Sequence, residues 1–216
     1  MFSFTRDVLR VSAEGDKHVP LLLRFGRASG DAAARSIERV AQPVLIITGP
    51  PGVGKTVTAR ALTDGSERAV HLEADWFFHF IRAGYVEPWK PESHAQNAVV
   101  MQIVAAAAAR YADASYFTVI DGIVIPHWFL DPLHTELKAV GHSVAYAVLR
   151  APLDVCLARA GQRGTESTDA SVVSGLWRQF DELGPLERHV IDTTAQPVDA
   201  VARTIRESMS TRLVLD

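Results

Sequence analysis

Cysteine is almost missing from this chain: Cys156 stands alone among 216 residues. A single thiol cannot close an internal disulfide, and nothing beside it has the spacing of a redox pair or a zinc knuckle. We read it as a small buried apolar residue. An excess of positive charge is missing too. The 22 Lys and Arg are outnumbered by 25 Asp and Glu, for a net charge of -3. General attraction to nucleic acid or to an anionic membrane is therefore not expected, and any basic group that matters must act locally. No apolar run approaches membrane-span length; the richest, "VVMQIVAAAAARYA", is short and carries Gln and Arg. The opening "MFSFTRDVLRVSAEGDKH" lacks the apolar centre of a signal peptide, so a cytoplasmic location is the expectation. Among the 8 histidines none has metal-ligand spacing.

What is present is a regular alternation. Residues 1–40 are the least patterned and are expected to be an extension. Within them "VLRVSAEG" and "VPLLLRF" suit a hairpin around Gly15–Lys17, and "DAAARSIERV" suits a short helix capped by Asp31. From residue 41 to 216 we expect a single domain. "PVLIIT" is a continuous apolar run with β-branched residues, as for a strand covered on both faces. "RAVHLEAD", "YFTVIDG", "HSVAYAVLR" and "HVIDTT" read as four more strands, the second and third ending on Asp75 and Asp121. Helical stretches separate them; Ser93 is the expected N-cap of the longest, and Gly141 closes another. Alternating strands and helices predict parallel pairing through right-handed crossovers, hence an α/β fold, a three-layer αβα sandwich. Ligands of such sheets sit beyond the carboxyl ends of the strands.

The most specific stretch is Gly49-Pro50-Pro51-Gly52-Val53-Gly54-Lys55-Thr56, which meets G-x-x-x-x-G-K-[ST] at every fixed position. Glycines let the backbone curl so that successive N–H groups point at phosphate oxygens, and the helix that follows adds its positive end. We expect Gly49, Pro51, Gly52, Val53, Gly54, Lys55, Thr56 and Val57 to cradle the triphosphate of ATP. Lys55 would supply charge for the β and γ oxygens, and the Thr56 hydroxyl would meet Mg²⁺. The dinucleotide pattern G-x-G-x-x-G fails, because Val57 stands where its third glycine belongs. No Asn-Lys-x-Asp string for guanine occurs.

Carboxylates past apolar strands are costly unless used. Asp121 is expected to hold Mg²⁺, through water, beside Thr56. Asp75 has two open readings: general base for a hydroxyl that attacks the γ-phosphate, or N-cap of the helical "WFFHFI". Glu73, two residues back, is a possible substitute for it. Arg159 and Arg163 in "CLARAGQRG" lie four apart on one helical face before a loop. They suit either a lid over the triphosphate, at about residues 159–170, or a solvated charged face. Arg178, Arg150 and Arg82 read as surface or salt-bridging groups. Trp76, Phe77, Phe80, Tyr85 and Trp89 crowd one segment; most suit the core, while some suit a wall for a ring-bearing or apolar acceptor. Phe80 and Tyr85 are the candidates for that wall, with Asp75 and with Gly122, which would open space beside Asp121.

In this order, GPPGVGKT, Asp75, Asp121, "LARAGQR" and "HVIDTT" resemble the small P-loop kinases, namely the gluconate kinase, shikimate kinase and chloramphenicol phosphotransferase group of the nucleoside-monophosphate-kinase-like fold. The likeness spans roughly Pro43 to Met209. The stretch "DWFFHFIRAGYVEPWKPESHAQN" looks like that of bacterial AAA-family members and names no acceptor. The resemblance implies a five-stranded parallel sheet in the order 2-3-1-4-5. It also implies Asp75 as catalytic base, Arg159 and Arg163 as lid arginines, and adenine held near Thr193–Pro197, with Thr194 and Gln196 in contact. Glu73-Ala74-Asp75 departs from the Asp-x-Asp of shikimate kinases, and the acceptor-binding arginines of that enzyme have no counterparts, so shikimate is not the expected acceptor. The expectation is phosphoryl transfer from ATP to a hydroxyl of a small metabolite or antibiotic, by a monomer or homodimer. The alternative is an ATPase or nucleotide sensor that works through conformational change. A polynucleotide acceptor is disfavoured by the acidic balance.

Overall fold

"VLIIT", Val44–Thr48, has every side chain buried and forms the central strand β1. It lies in a computed structural model that describes residues 42–126, 128–162 and 169–216. The chain divides into two units, Met1–Glu38 and Arg39–Asp216, and the described residues all belong to the second. The expected hairpin around Gly15–Lys17, the expected helix after Asp31, and Arg163 of the expected lid lie outside the described residues.

The remaining strands are β2 (Ala69–Glu73), β3 (Phe117–Asp121), β4 (Val144–Arg150) and β5 (Val190–Asp192). They form a five-stranded sheet in the order β2-β3-β1-β4-β5, with every pair parallel. This is the order the resemblance implied. The helices are α1 (Lys55–Thr63), α2 (Ala74–His79), α3 (His94–Asp113), α4 (Leu130–Ala139), α5 (Leu153–Gly161), α6 (Ala170–Arg178) and α7 (Val198–Ser208). Side chains alternate across a strand, so β1 feeds two cores at once. Leu45 and Ile47 join Leu62 of α1, Cys156 of α5 and Ile205 of α7. Val44 and Ile46 join Val104 of α3 and Leu133 and Leu137 of α4. Truncating the fully buried Ile46 to Ala would cost about 2–5 kcal/mol.

β5 is short and covers only the upper half of β4, from Val148 onward. The chain's tail covers the rest: Tyr146 N–H donates to the Leu213 carbonyl at 2.8 Å, and Leu215 N–H donates to the Val144 carbonyl at 2.9 Å. That satisfies a stretch of backbone which would otherwise be an open edge.

Register brings the business ends together. Asp121 lies opposite Ile47 on one side and Glu73 on the other. Two local expectations are corrected here. β2 stops at Glu73, and Asp75 belongs to the first turn of α2. The chain bends early because Ala74, buried, fits against Gly122, where a Cβ would stand only 2.8 Å from the Ala74 Cβ. Ser93 does stand at the N-cap of α3, but its hydroxyl caps nothing in that helix. It donates instead to the carbonyls of Pro88 and Lys90, 2.9 and 2.7 Å away.

Candidate active site

The turn from Gly49 to Gly54 is built from backbone. Gly49, Gly52 and Gly54 have φ of 138, 86 and 97°, the region that favours glycine. Two of the three are also required by close approach. A Cβ on Gly49 would lie 2.2 Å from the Leu149 carbonyl oxygen of β4, and one on Gly52 would lie 2.3 Å from the Cys156 carbonyl oxygen of α5. Contacts to protein thus give the turn its curl. The sole cysteine serves here through its backbone; its thiol is buried, donates to the Ala151 carbonyl, and is pushed up in pKa by that burial. Gly54 is the N-cap of α1 and offers no side chain to the helix, which leaves its first N–H groups directed at the turn. Lys55 Nζ donates to the carbonyls of Gly49 and Pro50 at 3.0 and 3.2 Å, and so closes over the turn. Pro51 and Thr56 are half-buried, Val53 is buried, and Val57 is exposed.

A second loop is tied to the first. The Thr193 hydroxyl donates to the Val53 carbonyl at 3.1 Å, and Thr193 N–H donates to the Arg150 carbonyl at 2.8 Å. Thr194 folds onto Asp192, its N–H 2.8 Å from Oδ1. Gln196 is exposed at the loop's far end. Arg159 donates to the carbonyls of Thr193 and Thr194 at 3.2 and 2.9 Å, so its guanidinium braces this loop and does not stand as a solvated charge. Arg150 is structural as well, paired with Glu187 at 2.8 Å and with the Phe180 carbonyl.

Across the turn stand the carboxylates. Asp121 closes β3, with its side chain only 5% exposed. Its Oδ2 lies 3.2 Å from His71 Nε2 but without the alignment of a hydrogen bond, so both atoms are buried and unsatisfied. Such an oxygen fits the water shell of a divalent cation, with Thr56 as the second protein group. Among the described residues no group of three or more His, Cys, Asp or Glu side chains could hold a metal alone. A cation here would need the phosphates of a nucleotide to complete its shell.

Asp75 reaches solvent, yet protein crowds it on most sides. Burial pushes its carboxyl above the usual range, and the charges of Asp121 and Glu73 push the same way, while Lys55 and His79 pull it down. Asp75 is thus within electrostatic reach of both Lys55 and Asp121. No side chain caps α2, so the capping reading of Asp75 is not what the geometry offers. Glu73 is committed elsewhere, 3.1 Å from Arg60.

Gly122 differs from expectation. It is buried, and the space a side chain would take is filled by Ala74, so it opens no acceptor pocket. The aromatic segment differs too: Phe78 is buried and Phe77 half-buried, but Trp76, Phe80, Tyr85 and Trp89 are exposed. Sequence reading passed over Thr48 and Tyr146, which pin the loop after β3. Val124 N–H donates to Thr48 Oγ1 at 2.8 Å, and the Tyr146 hydroxyl donates to the Val124 carbonyl at 2.8 Å. It also passed over His71, a lone histidine with no spacing signal.

A family model for the AAA domain, AAA_33, matches residues 44–182. The chain belongs to that family. The match runs from β1 through the P-loop and both aspartates to the end of α6, so every element of the candidate site except the Thr193–Pro197 loop falls inside the AAA domain. No curated protein matches the chain. Among solved structures, a tunicamycin resistance protein from Deinococcus radiodurans is 23% identical, with a TM-score of 0.58 over 77% of this chain and 94% of that one. A shikimate kinase from Acinetobacter baumannii, solved with shikimate, is 21% identical, TM-score 0.52, over 77% and 92%. A gluconokinase from Sinorhizobium meliloti is 16% identical, TM-score 0.54, over 80% and 94%. At such identities the likeness concerns the fold, which is the P-loop α/β sandwich of small-molecule kinases. No helix among the described residues is long and apolar enough to cross a membrane.

Proposed function

We propose that this AAA domain transfers the γ-phosphoryl group of ATP to a hydroxyl of a small molecule. The observation that carries the reading is the position of Asp75: a carboxylate held above its usual pKa, within reach of Lys55 and Asp121, and not used as a helix cap. A motor ATPase needs a carboxylate that activates water; Asp75 is exposed in the first turn of α2, where a second substrate can reach it.

The roles follow from the chemistry. The amides of the turn and of the α1 N-terminus, with Lys55, bind the β and γ oxygens. The loop at Thr193–Pro197, braced by Arg159, receives the base. Thr56 and Asp121 would hold Mg²⁺, which would supply charge neutralisation at the phosphates. The Asp75 carboxylate accepts the proton of the acceptor hydroxyl as its oxygen forms a bond to the γ-phosphorus. The bond from that phosphorus to the bridging oxygen breaks, ADP leaves with the electron pair, and Asp75 later yields its proton to water. We assign residues 159–170 as the lid, with Arg159 and Arg163 as its arginines, and residues 41–216 as the catalytic unit. The acidic balance favours a small-molecule acceptor over nucleic acid, and a cytoplasmic setting is part of the proposal.

The test is a panel of hydroxylated metabolites, nucleosides and antibiotics with labelled ATP and Mg²⁺. Acceptor-dependent ADP formation is expected, and Asp75→Asn should lower kcat by about 10²–10⁴-fold. ATP hydrolysis that needs no acceptor and survives Asp75→Asn unchanged would instead make the protein an ATPase or nucleotide sensor.

A further inference from the structure

We propose, on the footing of the phosphoryl-transfer reading above, that His71 is the positioning residue of the cation site: its Nε2–H holds Asp121 Oδ2 and so fixes the carboxylate on which that site depends. Among the described residues three buried side-chain polar atoms lack a hydrogen-bond partner: His71 Nε2, Asp121 Oδ2 and Asn97 Oδ1. Two of these, His71 Nε2 and Asp121 Oδ2, are 3.2 Å apart. Protein interiors rarely leave such atoms idle, and a facing pair of them at the end of β3 calls for a common use.

Strand register creates the pair. β2 and β3 run parallel, with His71 opposite Val119 and Glu73 opposite Asp121. His71 and Asp121 are therefore diagonal neighbours on one face of the sheet. Leu45, Ile47 and Val119 share that face with Leu62 of α1, the helix whose second residue is Thr56. The group directly opposite Asp121 does not serve it: Glu73 carries the same charge and is paired with Arg60 at 3.1 Å. On the other flank Asp121 lies opposite Ile47, which is apolar and fully buried. His71 is the hydrogen-bonding side chain that the sheet sets beside Oδ2.

Chemistry gives the direction of the bond. A carboxylate accepts and does not donate, so Nε2 is the nitrogen that carries the hydrogen. The two side chains are 12% and 5% exposed, and a 3.2 Å gap admits no water between the two atoms. Only alignment is missing, and the Asp121 carboxyl turns on a broad terminal torsion at little cost. A carboxylate free to turn is a loose ligand. Tied through Oδ2 to a ring on the neighbouring strand, it presents its remaining lone pairs in one direction. Mg²⁺ takes oxygen ligands, so the imidazole acts on the carboxylate and not on the ion. Groups that hold a ligating carboxylate in this way are worth about 10–100-fold in metal affinity.

The experiment uses the full chain and calorimetric titration with the non-hydrolysable ATP analogue AMPPNP, in EDTA and over a Mg²⁺ series, so neither acceptor nor turnover is needed. His71→Gln and His71→Asn separate position from packing. Both are amides, but Gln sets its N–H near the reach of Nε2, whereas Asn sets it short, near the reach of Nδ1. We expect wild type and both variants to bind AMPPNP alike in EDTA. The Mg²⁺ concentration that gives half of the tightening should rise about 10–100-fold in His71→Asn and return most of the way in His71→Gln. In the wild-type chain, labelled with ¹⁵N-histidine, the His71 Nε2–H resonance should move downfield when Mg²⁺ joins AMPPNP. That signal unmoved, an equal rise in both amides, or no rise in His71→Asn would make His71 a packing residue; each overturns the proposal and leaves phosphoryl transfer standing. A loss of AMPPNP affinity in EDTA as large as that in Mg²⁺ would locate the effect in the glycine turn and overturn it too. A wild-type chain that binds no AMPPNP at any Mg²⁺ concentration would sink the phosphoryl-transfer reading, and this proposal with it.

Discussion

Gly122→Ala tests whether the candidate base is positioned by a backbone contact. Gly122 does not have a positive φ, so alanine is allowed there by its own backbone. The obstacle is across the gap: the new Cβ would stand 2.8 Å from the Cβ of Ala74, about 1 Å inside the ~3.5–4.0 Å optimum for two carbons. Both partners are buried, one at the end of β3 and one opening α2, so neither side chain can rotate away. Overpacking of this kind costs about 1–3 kcal/mol. Relief comes most easily from a shift of α2, whose next residue is Asp75. A displacement near 1 Å at a reacting group can cost about 10²-fold in rate. We therefore expect Gly122→Ala to lower the unfolding free energy by that amount in urea and to lower kcat far more than the KM for ATP. Ala74→Gly in the same chain removes the clash. It costs about 0.5–1 kcal/mol as a glycine in a helix, yet should restore most of kcat. A double variant no more active than Gly122→Ala, or a single variant with wild-type kcat, would refute the reasoning.

Two further expectations concern the same machinery. Because Asp75 is raised above its ordinary 3.8, the acid limb of the kcat profile should lie above the usual carboxylate range. A raised folded-state pKa gives stability that is present at low pH and lost as pH rises through it, so Asp75→Asn should be more stable than wild type at neutral pH and no more stable in acid; equal melting temperatures at both would contradict this. Thr193→Val removes the hydroxyl that bonds the Val53 carbonyl. It should cost about 1 kcal/mol of stability in urea and raise the KM for ATP severalfold with kcat unchanged, and an unchanged KM would mean the two loops are not coupled.

Much of this is legible in the sequence. The continuous apolar strands and the glycine spacing led to the parallel sheet and the P-loop, because burial on both faces and a φ above zero leave narrow choices of residue. What escaped reading depends on contacts between distant segments. Asp75 reads as strand-terminal because nothing in "HLEAD" reveals that Ala74 will settle into the space beside Gly122, 48 positions later. The carbonyls of Thr193 and Thr194 that receive Arg159 escape too, because its helix predicts a direction and not a partner 34 or 35 positions away. Most of the aromatic residues of this segment read as core, yet Trp76 and Trp89 are exposed, and the bonds of Gln96 and Asn97 to Val86 and Pro88 join stretches that no local pattern links. His71 gives no local signal; its partner Asp121 lies on the neighbouring strand.

Where Gly52 meets the Cys156 carbonyl, main chain rests on main chain. No rotamer can change at that junction and no water can slip between. A tilt of the helix bearing Arg159 is therefore transmitted directly to the amides that would grip the nucleotide, as a rocker arm moves its valve.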